Sequence, residues 1–171
     1  MDSGTTEKAV RGQYSVPLGV SGLGGWLVLI QIGLYATIVM MIFQLFQYSL
    51  PAFEKETWEL LTSKDSEYYH VMWGPVISFE LVYNVLFLLF CGYILIQFYQ
   101  RRFILPRLMI IFYSTNLLLG IIDFALLQQI PLAQEAEDGS SLRDIMRSIV
   151  TCAIWIPYFI KSERVKNTFI R

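Results

Sequence analysis

The chain has 171 residues, 55% of them hydrophobic and 15% aromatic, with 13 Lys and Arg against 14 Asp and Glu for a formal net charge of -1. That length suits one domain, and a charged fraction of only 16% with a positive mean hydropathy describes a membrane protein rather than a soluble globule. A single histidine, His70, and two cysteines without CxxC or Cys/His companions, Cys91 and Cys152, exclude the usual zinc, redox and Ser/His/Asp motifs, and no basic stripe with interleaved aromatics points to nucleic acid.

The amino-terminal segment, residues 1–25, mixes acids and bases and holds no short apolar run ahead of a cleavage site, so the first long span is expected to act as its own insertion signal. Its glycines in "GVSGLGGW", Gly19, Gly22, Gly24 and Gly25, follow no strand and precede no Lys-Ser or Lys-Thr pair, which favours a flexible approach to a helix over a phosphate loop. Crossing the hydrocarbon takes about 20 apolar residues at a rise of about 1.5 Å each. Four stretches meet that length: 26–48, 75–99, 106–127 and 142–160, the last loaded in its first turns by Arg143, Asp144 and Arg147. Pro51, Pro75, Pro106 and Pro131 fall at or outside span ends, where a missing N–H does least harm, while Pro157 lies inside the last turns of the fourth.

Between the first two spans, the outer loop 49–74 contains "PAFEKETWELLTS", which puts Phe53, Trp58 and Leu61 where a short helix lying on the membrane surface would use them; an ordinary loop reads almost equally well. Basic residues fall in the amino-terminal segment (Lys8, Arg11), in the link after the second span (Arg101, Arg102, Arg107) and in the tail 161–171 (Lys161, Arg164, Lys166, Arg171). The acids Glu54, Glu56, Glu59, Asp65, Glu67, Glu135, Glu137 and Asp138 dominate the other side, so the positive-inside rule puts both chain ends in the cytoplasm. The basic tail then holds topology or touches anionic headgroups.

Charge inside the bilayer is costly and usually has a partner. Counting from the outer boundary, Glu80, Asp123 and Arg147 lie level, about 6 to 8 Å deep at a helical rise of about 1.5 Å per residue. Helical spacing extends them into faces: Glu80, Asn84, Phe87 and Cys91; Asn116, Gly120 and Asp123; Arg143, Arg147 and Thr151, with Gln44 of the first span at similar depth. The expected arrangement is a polar cluster of Gln44, Glu80, Asn84, Asn116, Asp123 and Arg147, in which the guanidinium pairs with one or both carboxylates and Gly120 allows close helix approach.

Three roles compete for that cluster. It is a structural plug that fixes which helices meet, or the proton or cation site of a small transporter or channel, or the acid and base of a membrane enzyme. The last lacks a nucleophile, metal ligands or a cofactor motif. The favoured reading is a non-enzymatic accessory or interaction subunit without a cofactor or metal, whose partners are membrane lipids and another membrane protein or a second copy of itself; the alternative is a small ion- or proton-coupled transporter or channel, oligomeric because four helices leave little room for a pathway.

"GLGGWL" at the start of the first span and "AIWIPYFIKSERVKNTF" at the close of the last, with Trp155 to Phe159 and Ser162 to Phe169 as its most distinctive part, resemble the bacterial inner-membrane proteins grouped as domain of unknown function 2569. The resemblance covers the whole chain. It implies an all-α, polytopic protein with four transmembrane helices, both termini cytoplasmic, and it supplies no activity and no site residue.

Overall fold

The computed structural model describes residues 21–170. Lys8, Arg11, Gly19 and Arg171, which bear on the sequence reading of the two ends, lie outside the described residues. Among the described residues the regular structure is helical, with no strand. Helix α1 (Trp26–Gln44) continues into a π-helical turn, Leu45–Ser49, and a 3₁₀ turn, Pro51–Phe53. Then come α2 (Lys55–Thr62), α3 (Trp73–Tyr99), α4 (Leu105–Leu127), α5 (Pro131–Ala136), α6 (Ser140–Lys161) and α7 (Glu163–Thr168).

Three continuous helical stretches, Trp26–Phe53, Trp73–Tyr99 and Leu105–Leu127, are long and apolar enough to cross a bilayer. At 22 residues α6 would reach about 33 Å, close to the hydrocarbon thickness of about 30 Å. Its charged first turns set it apart. The outer loop is partly helical, since α2 forms and Phe53 stacks on Trp58 with ring centroids 5.2 Å apart.

The buried positions of α3 are Val76, Ile77, Asn84, Phe87, Cys91, Ile94 and Phe98, a stripe at three- and four-residue spacing. Glu80 occupies the register of that stripe between Ile77 and Asn84. On α4 the buried residues, Leu105, Leu108, Met109 and Phe112, all belong to its first half. The core therefore fills one end of the bundle: Leu27, Ile30 and Leu34 of α1 meet these residues, and the Phe87 and Phe112 rings stack at 4.9 Å. Both cysteines are free, with Cys91 fully buried and the Cys152 thiol donating to the carbonyl of Tyr113.

The first and last described segments meet at this packed end. Gly22 donates its backbone N–H to Thr168 Oγ1 at 2.9 Å, and Phe169 packs on Phe98 with centroids 5.7 Å apart. Arg164 lies over Gly24 and Gly25; a Cβ on Gly25, whose φ is +62°, would come within 3.2 Å of its guanidinium carbon. These glycines form a close-fitting seat for an arginine rather than the flexible approach expected from sequence, because only a residue without a side chain lets Arg164 come so near in that backbone conformation. The expected basic tail is likewise folded: Val165, Thr168 and Phe169 are buried, Arg164 is half-buried, and Lys161 and Lys166 remain exposed.

Candidate functional site

The opposite end of the bundle is built differently. Beyond Phe112, α4 presents Asn116, Gly120 and Asp123 at three- and four-residue spacing, and polar or absent side chains leave the space before them unfilled. The result is a cavity of about 280 Å³ between α1, α3, α4 and α6. Gln44, Tyr83, Asn116, Asp123, Ser141, Asp144 and Ser148 supply its polar wall, with Phe87, Leu117, Leu119, Phe124 and Ile145 completing it. Among the described residues none of those that line it is basic.

Glu80 and Asp123 face one another across α3 and α4 within hydrogen-bonding reach. Two carboxyl groups can share a hydrogen bond only when one carries a proton, since both ionised forms accept and neither donates. Asp123 Oδ1 is buried without a donor. Asn84, only 3% exposed, donates instead to Ser49 Oγ at 3.5 Å, and Ser49 reaches it because the π-helical turn carries that residue to the inner side of the helix end. Ser148 Oγ donates to Asn116 Oδ1 at 3.4 Å, tying α6 to α4 on the cavity wall.

Arg147 does not join this group. Its Nη1 donates to Asp144 Oδ1 at 3.1 Å, and both side chains are largely exposed, at 80% and 69%. The expected pairing with Glu80 or Asp123 fails because α6 turns its small and apolar face, Ser141, Ile145, Ser148 and Cys152, toward α4, which leaves Arg143 and Arg147 outside. The i,i+3 neighbour Asp144 supplies a partner at no cost of burial. A second expectation also fails: nothing lies within 4 Å of a Cβ placed on Gly120, so this residue borders open space and not a close helix crossing.

Of the expected cluster, then, Gln44, Asn116 and Asp123 line the cavity, Glu80 backs Asp123, Asn84 bonds to Ser49 beside it, and Arg147 stands apart. Sequence reasoning missed Ser49, Tyr83, Ser141, Asp144 and Ser148. The stripe Ser141, Ile145, Ser148, Cys152 at three- and four-residue spacing was a legible signal for the inward face of α6. Ser49 was not legible, because a π-helical turn shifts the register that ordinary helical counting assumes.

Ser141 of the cavity wall lies in the first turn of α6, whose start is capped by the preceding loop. Ser140 N–H donates to Asp138 Oδ1 at 3.0 Å and Ser141 N–H to Glu137 Oε1 at 3.1 Å, with Gly139 left-handed between loop and helix at φ +83°. Hydrogen bonds from Ser141 hold the Glu137 carboxyl below its ordinary value, and those from Ser140, helped by Arg143, do the same for Asp138. These acids answer the unpaired N–H groups of the helix start and so stay charged there.

The model of the family described as "Protein of unknown function (DUF2569)" matches residues 20–170. The chain is also similar to the inner membrane protein YdgK of Escherichia coli (strain K12), with 27% identity over 155 aligned residues, 86% of this chain and 93% of that protein. No solved structure matches.

Proposed function

We propose, for a chain that belongs to the DUF2569 family and sits in the bacterial inner membrane, that it is a small non-enzymatic carrier in which the cavity takes up a proton or a cation. In this reading α6 is the fourth span, both chain ends face the cytoplasm, and the cavity opens toward the outer half of the bilayer. Arg101, Arg102, Arg107, Lys161, Arg164 and Lys166 gather at the packed end against Lys55, Lys64, Arg143 and Arg147 at the cavity end, a bias in the direction the positive-inside rule asks of that orientation.

The observation that carries the reading is the juxtaposition of the Glu80 and Asp123 carboxyls beside a polar cavity with no basic residue among the described residues of its wall. A plug built on an ion pair would set a fixed cation from the chain against these acids. Among the described residues Arg147 is paired with Asp144, and a proton or a bound cation can balance the acid pair, a borrowed charge that can be returned. Carboxyls, amides and hydroxyls of this kind bind charge; they do not form a nucleophile with its base.

Reconstituted full-length protein in sealed vesicles tests the reading. Wild type is expected to dissipate an imposed proton or cation gradient, and Glu80→Gln and Asp123→Asn each to slow it at least tenfold. Vesicles that stay tight with wild type would overturn it.

One observation favours a role as an interaction subunit as well. On the outward side of α1 and α3, Tyr35 and Tyr99 hydroxyls lie 3.0 Å apart and Gln31 donates to Tyr99. Polar groups facing lipid gain from a helix of another protein or a second copy that can share their bonds. Tyr35→Phe combined with Gln31→Leu is expected to lower recovery of a co-purifying membrane protein or of the dimer, without changing flux.

A further inference from the structure

Beside the polar cavity, a second space of about 320 Å³ opens on the flank of α3 and α4, walled by Leu86, Phe90 and Thr115. The two spaces share Tyr83, Phe87 and Leu119 as lining residues, so the polar chamber and the apolar groove adjoin at those side chains. Leu86 is 61% exposed on the groove's outer edge, which puts its mouth toward the lipid phase rather than toward water. A site that is apolar toward the membrane and acidic toward the bundle interior matches a molecule with the same division.

We infer that the two spaces form one site for an amphiphile with a cationic ammonium head, the head in the polar cavity and the alkyl chain in the groove. The sign of the head follows from the wall. Asp123 lines the chamber, Glu80 is within hydrogen-bonding reach of it, and among the described residues none of the lining side chains is basic to receive a phosphate or sulfate. Anionic and zwitterionic lipid heads are therefore disfavoured by desolvation of an unpaired anion. Tyr83 and Phe87, at the junction, offer aromatic faces to an ammonium group, an attraction that grows when water is excluded. The alkyl chain packs against the apolar side chains of the groove, a contact that an ion without a chain lacks. Lateral arrival from the membrane explains why a polar chamber should have an apolar side wall at all.

This inference rests on the reading of the cavity as a cation site and names the class of cation. The test uses full-length protein in nanodiscs and three probes: dodecyltrimethylammonium, tetramethylammonium and dodecyl sulfate, each corrected for empty nanodiscs. Saturable binding of the first is expected at least tenfold tighter than the second, with no specific binding of the third. Leu86→Ser should weaken dodecyltrimethylammonium several-fold and leave tetramethylammonium unchanged. Gly120→Leu, which projects into the open chamber from a regular helical position, should weaken both about tenfold while the melting temperature holds. Equal affinity for the two ammonium ions, both lost in Asp123→Asn, would overturn the amphiphile site while the cation reading stands. Equal binding of dodecyl sulfate would overturn it too. No ammonium binding with acid-dependent proton flux retained would leave a proton site alone, and no binding with tight vesicles would end both.

Discussion

The two ends of the bundle contrast in what fills the space between the helices. At the packed end Leu27, Ile94, Phe98, Leu105 and Met109 are wholly buried and the first and last segments close over them; at the cavity end Asn116, Gly120 and Asp123 occupy the equivalent line on α4 and leave a hollow. The same helices serve both ends, so one half of each span is specified by shape and the other by chemistry. Stability is drawn from the first half, and the second is free to hold groups that a close-packed core would reject.

Substitutions at the two ends should separate accordingly. The largest effect is expected from Phe98→Ala, which empties a wholly buried position touching Phe169; a loss of about 3–5 kcal/mol, read as a fall in detergent melting temperature, is the scale for such a truncation. A smaller cost, about 1–2 kcal/mol, is expected for Gly25→Ala, where a left-handed backbone and the Arg164 guanidinium both oppose a Cβ. The opposite sign is expected at the cavity end: Gly120→Ala should stabilise by about 0.5–1 kcal/mol, since the residue is helical and meets no neighbour. A loss there comparable with that of Phe98→Ala would erase the contrast.

The smallest effect concerns pH at the start of α6. Glu137 and Asp138 are held below their ordinary values in the folded chain, so their support for the start of α6 is present above the unfolded carboxylate range and is lost as pH falls through the folded values. Amide exchange at Ser140 and Ser141 should quicken on acidification before the packed end responds. Simultaneous quickening at Val165 and Thr168 would show that the two ends do not open independently.

Much of this arrangement is legible in the residues themselves. Apolar runs mark the long helices, and counting at helical rise brings Glu80, Asp123 and Gln44 to one depth. The direction of Arg147 is not given by depth, because a long side chain near a helix start can choose a local acid over a distant one, and the i,i+3 spacing to Asp144 was the clue. Seating of Arg164 on Gly24 and Gly25 was hidden for another reason. It joins segments more than a hundred positions apart, and no local pattern encodes which distant side chain a pair of glycines will receive.

The bond between Gly22 and Thr168 also has a consequence for biosynthesis. The approach to α1 can find its partner only after residue 168 has been translated, so α1 is made well before the segment that closes its end. Leu27 and its neighbours wait meanwhile without their cover, and a chain interrupted before α7 would display that apolar patch to the quality-control proteases of the cell.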